Sequence, residues 1–165
     1  MSKFYAGLTV LEILGVAVKK EIDAANFYKN LAGQIANPII KDRFLQLAKE
    51  ERKHRAMLQA EYKRLTGGEK VSVPKEMVPK IREAFDFTKG NIEEALQFAI
   101  SAERDAQKLY AEAAKKSKDP RGKRMLDYLV EFEKSHENLL KSELAFYRKS
   151  PTWFDEPDDL IHVGP

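Results

Sequence analysis

The sequence predicts an all-α protein, a four-helix bundle of two antiparallel hairpins joined by a long crossover. Three observations carry this expectation. Four long segments place apolar residues at alternating steps of three and four, two of the links between them are short and one is long, and the second hairpin repeats the first. No stretch shows the strict apolar–polar alternation that marks a strand.

The first segment sets Leu14, Ala17, Glu21, Ala24, Tyr28, Leu31 and Ile35 on one face, and Thr9 with Glu12 forms a capping box, so a helix is expected over 9–35. Its apolar start is interrupted by Glu12 and has its lysines, Lys19 and Lys20, on the wrong side for a leader, so a cytoplasmic protein is expected. The second segment reads Ile40, Phe44, Leu47, Glu51, His54, Leu58, Glu61, Leu65. Asn37 caps it, Pro38 takes its first position and Gly67–Gly68 end it. The third reads Ile92, Leu96, Ala99, Glu103, Ala106, Tyr110, Ala113 and opens on Asn91 with Glu94. The fourth reads Leu126, Leu129, Glu133, His136, Leu140, Glu143, Tyr147, opening on Asp119–Pro120 and stopping before Pro151.

The links set the topology. Ala36–Asn37 and the residues around Ser117–Lys118 are short enough to require antiparallel neighbours. Residues 67–90 contain Pro74 and Pro79, with a short helix expected near Lys80–Phe87. At about 3.3 Å per extended residue, that crossover can run the length of a bundle. The expected organisation is one bundle over 1–150 and a non-helical tail over 151–165. In the tail, Trp153 and Phe154 read as an anchor onto the bundle or a partner subunit, and His162 as an exposed residue.

Composition narrows the function. The 165 residues are 43% hydrophobic and 33% charged, enough for one domain with its own core and with no membrane span. There is no cysteine, which excludes disulfides, thiol catalysis, zinc knuckles and iron–sulfur clusters. The 29 basic and 26 acidic residues are interleaved, which describes a solvated helical surface and not a nucleic-acid footprint. A metal could be held only by carboxylate and imidazole, and there are three histidines.

The repeat preserves a particular set of polar residues. A shift of 82 carries Glu21 to Glu103, Tyr28 to Tyr110, Pro38 to Pro120, Glu51 to Glu133, His54 to His136 and Glu61 to Glu143 without a gap. Glu21, Glu51, His54, Glu103, Glu133 and His136 all fall on seams that would otherwise carry leucine. Their distances from the hairpin turns agree, so all six side chains should meet in one mid-bundle layer. Four carboxylates buried together without compensation cost several kcal/mol each. Two divalent cations would cancel those charges, and each Glu-x-x-His pair puts both groups on one helix face. One Glu from each of two helices plus Glu-x-x-His from each of the other two is the donor set of di-iron and di-manganese carboxylate bundles.

Around this layer, Tyr28 and Tyr110 lie two turns beyond Glu21 and Glu103, as hydrogen-bond partners of a ligand carboxylate, redox-active phenols, or core aromatics. Glu50 is placed to orient an imidazole from a neighbouring helix. Phe132 takes the equivalent place in the other half, which would make the two metals inequivalent. Glu61 and Glu143 lie near helix ends, where solvated carboxylates are ordinary, and Asp23 and Asp105 read as surface residues.

Glu21 with Tyr28, Glu51-x-x-His54, Glu103 with Tyr110 and Glu133-x-x-His136 resemble the ferritin-like di-iron superfamily, specifically its rubrerythrin-like branch, and the site of bacterioferritin. The resemblance covers about residues 9–148 and implies a ferritin-like four-helix bundle of two duplicated hairpins holding two Fe ions, with Mn as an alternative. It implies that Glu51 and Glu133 bridge the metals while Glu21/His54 and Glu103/His136 complete them. The implied activity is that of an oxidoreductase acting on H2O2 or O2 and/or Fe(II), a peroxidase or ferroxidase, in a homodimer or larger homo-oligomer. Two departures stand out. Ala106 occupies the position where rubrerythrins usually carry a further glutamate, and a sequence without cysteine has no rubredoxin site, so electrons must come from an external donor. A ferritin-type iron-storage assembly and a metal-independent helical binding module are the competing classes.

Overall fold

The computed structural model describes residues 5–77 and 85–157. Four long helices account for most of them: α1 (Val10–Gly33), α2 (Pro38–Thr66), α3 (Ile92–Lys116) and α4 (Pro120–Lys149). A short 3₁₀ turn, Lys75–Met77, lies in the crossover, and no strand occurs among the described residues.

The helix ends follow from local chemistry. Thr9 and Glu12 form the expected capping box on α1, and Asn91 and Glu94 form another on α3. Asn37 accepts from the backbone N–H groups of Ile39 and Ile40, Asp119 accepts from Gly122, and a proline follows each cap. Gly67 ends α2 in the left-handed conformation at φ 72°, where a side chain would be strained.

α1 pairs with α2 and α3 with α4, and α1 packs on α3 to join the hairpins, while α2 and α4 approach each other only sparsely. Two apolar clusters fill the interior. One gathers Leu14 and Ala17 of α1, Leu58 of α2, Leu109 and Ala113 of α3, and Leu126 and Leu129 of α4. The other gathers Leu31, Phe44, Leu47, Leu96, Ala99 and Leu140. The starts of α2 and α3 share the second cluster, so the crossover traverses the bundle as expected. It runs directly against α1: a Cβ on Gly15 would lie 2.0 Å from the Ser72 carbonyl oxygen, a contact only glycine allows.

Two expectations need correction. The tail is not wholly non-helical, because Thr152–Asp155 forms one helical turn, α5. Its cause is burial of Phe154, fully enclosed in the second cluster, whose carbonyl accepts from the N–H groups of Ala36 and Asn37 at 2.9 and 3.3 Å. Phe154 is the residue enclosed by the bundle, while Trp153 is half exposed and meets Phe146 with ring centroids 6.2 Å apart. Of the helix expected over Lys80–Phe87, residues 80–84 lie outside the described residues, and Phe85–Phe87 are not helical. There the Asp86 carboxylate accepts from the Thr88 N–H and hydroxyl, which offers the backbone a local turn instead. His162 also lies outside the described residues.

Candidate metal centre

The two apolar clusters leave a layer between them, and all six expected seam residues are in it: Glu21, Glu51, His54, Glu103, Glu133 and His136 are each at least nine-tenths buried. Their positions follow from helix geometry. Steps of three and four keep a residue on the inward stripe, so replacing leucine with Glu or His at such a step buries the polar group whether or not it has a partner.

The six residues fall into two groups that share two members. Glu21, Glu51, His54 and Glu133 each offer one donor atom within 4.8 Å of the others, and so do Glu51, Glu103, Glu133 and His136. His54 Nδ1 lies 3.0 Å from Glu133 Oε1 and 3.2 Å from Glu51 Oε2. His136 Nδ1 lies 3.0 Å from Glu51 Oε1, 3.2 Å from Glu133 Oε2 and 3.6 Å from Glu103 Oε1. Both imidazoles therefore turn the same nitrogen inward, and their rings lie 5.7 Å apart at 26°. Glu51 and Glu133 stand between them, each facing both histidines.

Groups expected around the layer also reach it. The Tyr28 hydroxyl donates to Glu103, and that of Tyr110 donates to Glu21. Each tyrosine thus holds a carboxylate of the opposite hairpin. Glu50 Oε2 lies 2.8 Å from His136 Nε2. Phe132 instead packs edge-on against His54, with ring centroids 4.6 Å apart. Ala106, where a further glutamate would stand, packs beside the first apolar cluster and offers no donor.

The electrostatics are those of carboxylates buried together. Burial, then the charge of Glu133, pushes Glu103 from 4.5 up to about 8. Burial, then the charges of Glu103, Glu21 and Glu133, raises Glu51 well above the usual carboxylate range. Burial followed by Glu103 raises the Tyr28 phenol, and burial followed by Glu21 raises that of Tyr110. For His136 burial works against the charged ring, but the neighbouring carboxylates of Glu103, Glu133 and Glu51 outweigh it and raise the imidazole above its usual range. Glu133 Oε2 is buried with no hydrogen bond. Among the described residues, no lysine or arginine pairs with any of the four carboxylates. Four oxygen-donor carboxylates and two imidazoles, two of the carboxylates shared, suit two borderline divalent ions such as iron.

Two readings from sequence change. Glu61 and Glu143 are buried, not solvated, and each has a cation: Arg64 for Glu61 and Arg43 for Glu143 at 2.6 Å. Arg64 stands one helical turn after Glu61, but Arg43 lies a hundred residues from its partner and no local spacing predicts it. Glu137 is a buried carboxylate that the sequence reading passed over. Burial would raise it, but Lys141, Gln107 and Arg104 bring it down to about 2. Asp23 is half-buried on α1 and pairs with Lys19, and Asp105 is half-buried on α3.

Comparison with known proteins bears on the fold and the family. The structure is similar to a hypothetical protein from Pyrococcus furiosus, 28% identical with a TM-score of 0.78, over 90% of this chain and 96% of that one. It shares its fold with a Thermotoga maritima protein described as a ferritin-like diiron-carboxylate protein, at 24% identity and TM-score 0.66 over 84% and 95% of the two chains. It shares it too with the bacterioferritin-related protein of Bacteroides fragilis, a dodecameric thioferritin, at 20% identity and TM-score 0.71 over 94% and 98%. No curated protein is similar enough in sequence to match. No helix among the described residues is long and apolar enough to cross a membrane. Residues 12–144 match the rubrerythrin family, and with the ferritin-like bundle and its carboxylate–histidine layer this chain belongs to that family of diiron carboxylate proteins.

Proposed function

We propose that this chain holds two iron ions in the mid-bundle layer and acts as an oxidoreductase on H2O2 or O2 and/or Fe(II), with electrons from a separate donor. One observation carries the reading: four buried glutamates converge with two inward-facing imidazoles, and among the described residues no lysine or arginine pairs with them. Glu51 and Glu133 belong to both groups, which supports them as bridging ligands. Glu21 with His54, and Glu103 with His136, would complete the two ends. Bound there, an iron pair supplies reversible one-electron steps and Lewis acidity toward a small oxidant.

The chain's own residues set the conditions for that chemistry. Tyr28 and Tyr110 each fix one terminal carboxylate by a hydrogen bond, limiting how it can swing. The apolar clusters on either side exclude water from the layer, so only a small oxidant is expected to react there. With Ala106 in place of a further glutamate, position 106 offers no carboxylate to a metal beside Glu103.

A homodimer or larger assembly in the cytoplasm is part of the proposal. The exposed Tyr128, Trp153, Ile39 and Leu45 support self-association, and the Bacteroides fragilis relative is dodecameric. Anaerobic loading with Fe(II), metal analysis, and separate addition of H2O2 and O2 would test the activity. Two irons per chain and rapid oxidation by one oxidant are expected. Absence of stoichiometric iron would leave the layer a structural polar core, and a shell-sized particle accumulating iron well beyond two per chain would favour storage.

A further inference from the structure

The duplicated halves keep every expected ligand but differ in what stands behind the two histidines. In the first hairpin, Gln46 Nε2 donates to Glu50 Oε1 at 3.1 Å, and Glu50 Oε2 accepts from His136 Nε2 at 2.8 Å. A shift of 82 residues carries Gln46 to Tyr128 and Glu50 to Phe132. In the second hairpin, accordingly, Tyr128 packs on Phe132 with ring centroids 5.6 Å apart, and Phe132 packs edge-on against His54 at 4.6 Å. Phe132 also meets His136 edge-on, with ring centroids 5.2 Å apart, so both histidines touch the aromatic ring and only His136 has the polar relay behind it.

We propose that the two metal positions are unequal: the position bounded by Glu51, Glu103, Glu133 and His136 fills first, because Gln46 and Glu50 hold the His136 ring. The inference rests on the two-metal reading. A carboxylate can only accept from a ring N–H, so Glu50 fixes the proton on Nε2 and leaves the inward Nδ1 lone pair for the metal. It also fixes the ring's orientation and raises the basicity of the ligand nitrogen, effects that in metal sites are worth about 10–100-fold in affinity. Phe132 offers His54 a packing surface and no acceptor. Among the described residues, the hydrogen bonds of His54 run through Nδ1 alone. Its ring must find its tautomer and its orientation when the ion arrives. Glu50 is therefore a positioning residue, and its counterpart is absent from the twin site.

Titration of metal-free full-length protein with Co(II) alone, followed by calorimetry and by the visible absorption of the bound ion, tests this. Two resolved binding phases are expected. His136→Ala should remove the tighter phase, and His54→Ala the weaker. Glu50→Ala should weaken the tighter phase by about 10–100-fold and leave the weaker unchanged, with Glu50→Gln, which keeps an acceptor, falling between. Phe132→Glu, checked for an unchanged helical spectrum, should tighten the weaker phase. A single phase of two equal ions would overturn the proposal, as would a Glu50→Ala protein whose phases both match the parent or both weaken alike. No Co(II) uptake at all would overturn the two-metal reading itself. Uptake of two ions without inequality would leave that reading standing.

Discussion

Buried glutamates occur at the middle of this bundle and toward its ends, and the two sets are treated in opposite ways. Glu61 and Glu143 occupy repeat-related seam positions, and each pairs with an arginine. Glu137, on the outer flank of α4, has Arg104 and Lys141. The middle set, Glu21, Glu51, Glu103 and Glu133, has only tyrosine hydroxyls, imidazoles and one another. Glu143 also retains one buried oxygen without a hydrogen bond, but its carboxylate carries the Arg43 charge. The chain neutralises a buried acid with its own cation where a partly exposed arginine can reach it. Among the described residues it gives the four acids of the layer no lysine or arginine. Burial alone is thus no sign of a metal ligand; burial together, without a lysine or arginine, is what points to one.

The largest effect expected on this contrast comes from the shared members of the layer. Glu51→Ala and Glu133→Ala should each disrupt both positions, reducing the iron retained after anaerobic loading from two per chain to one or none. Glu61→Ala should leave the metal content unchanged. Inductively coupled plasma mass spectrometry on the desalted proteins reads the difference directly, and equal iron contents would erase the distinction between middle and end.

A second test uses pH. Glu103 titrates at about 8 in the folded metal-free chain against 4.5 when unfolded, and His136 is also raised. Both groups bind protons more tightly when folded. Their contribution to stability is therefore fully present below the unfolded value and is lost as pH rises toward the folded one. Metal-free protein should melt at progressively lower temperature from mildly acid to mildly alkaline pH, with the Glu103 part of the loss falling between 4.5 and about 8. Metal uptake requires these groups to release protons, so the gain in melting temperature on loading should grow over the same range. Scanning calorimetry of both forms checks the two slopes.

At the bundle end, Arg43→Met leaves Glu143 buried beside no cation. Because Arg43 is 47% exposed and water can partly replace it, the expected cost is about 1–3 kcal/mol, measured by urea unfolding. The smallest effect is expected of Glu143→Leu, which removes the buried charge along with the need for its partner. It should stay within about 1 kcal/mol of the parent protein. A Leu variant as damaging as Arg43→Met would mean that the carboxylate has a role beyond its ion pair.

The helices, their caps and the layer were legible because each depends on short-range regularity. Thr9 with Glu12, or Glu51 with His54, states its geometry within one turn, and the 82-residue repeat states it twice. Arg43 beside Glu143 was not legible, because nothing in local spacing joins residues a hundred positions apart across two helices. The turn at Thr152–Asp155 was hidden for a similar reason: its stability comes from the Phe154 side chain and carbonyl docking on the Ala36–Asn37 link. Tyr28 and Tyr110 were found as residues, but three roles stayed open until their hydroxyls were seen on the carboxylates of the opposite hairpins.

Glu50 and Phe132 stand at one and the same place in the repeat. Were each hairpin a separate polypeptide associating with an identical copy, two-fold symmetry would put the same residue behind both histidines, and one substitution would alter both sides together. Covalent joining through the crossover removes that constraint. Each half can change alone, and a centre built from duplicated parts is free to acquire a front and a back.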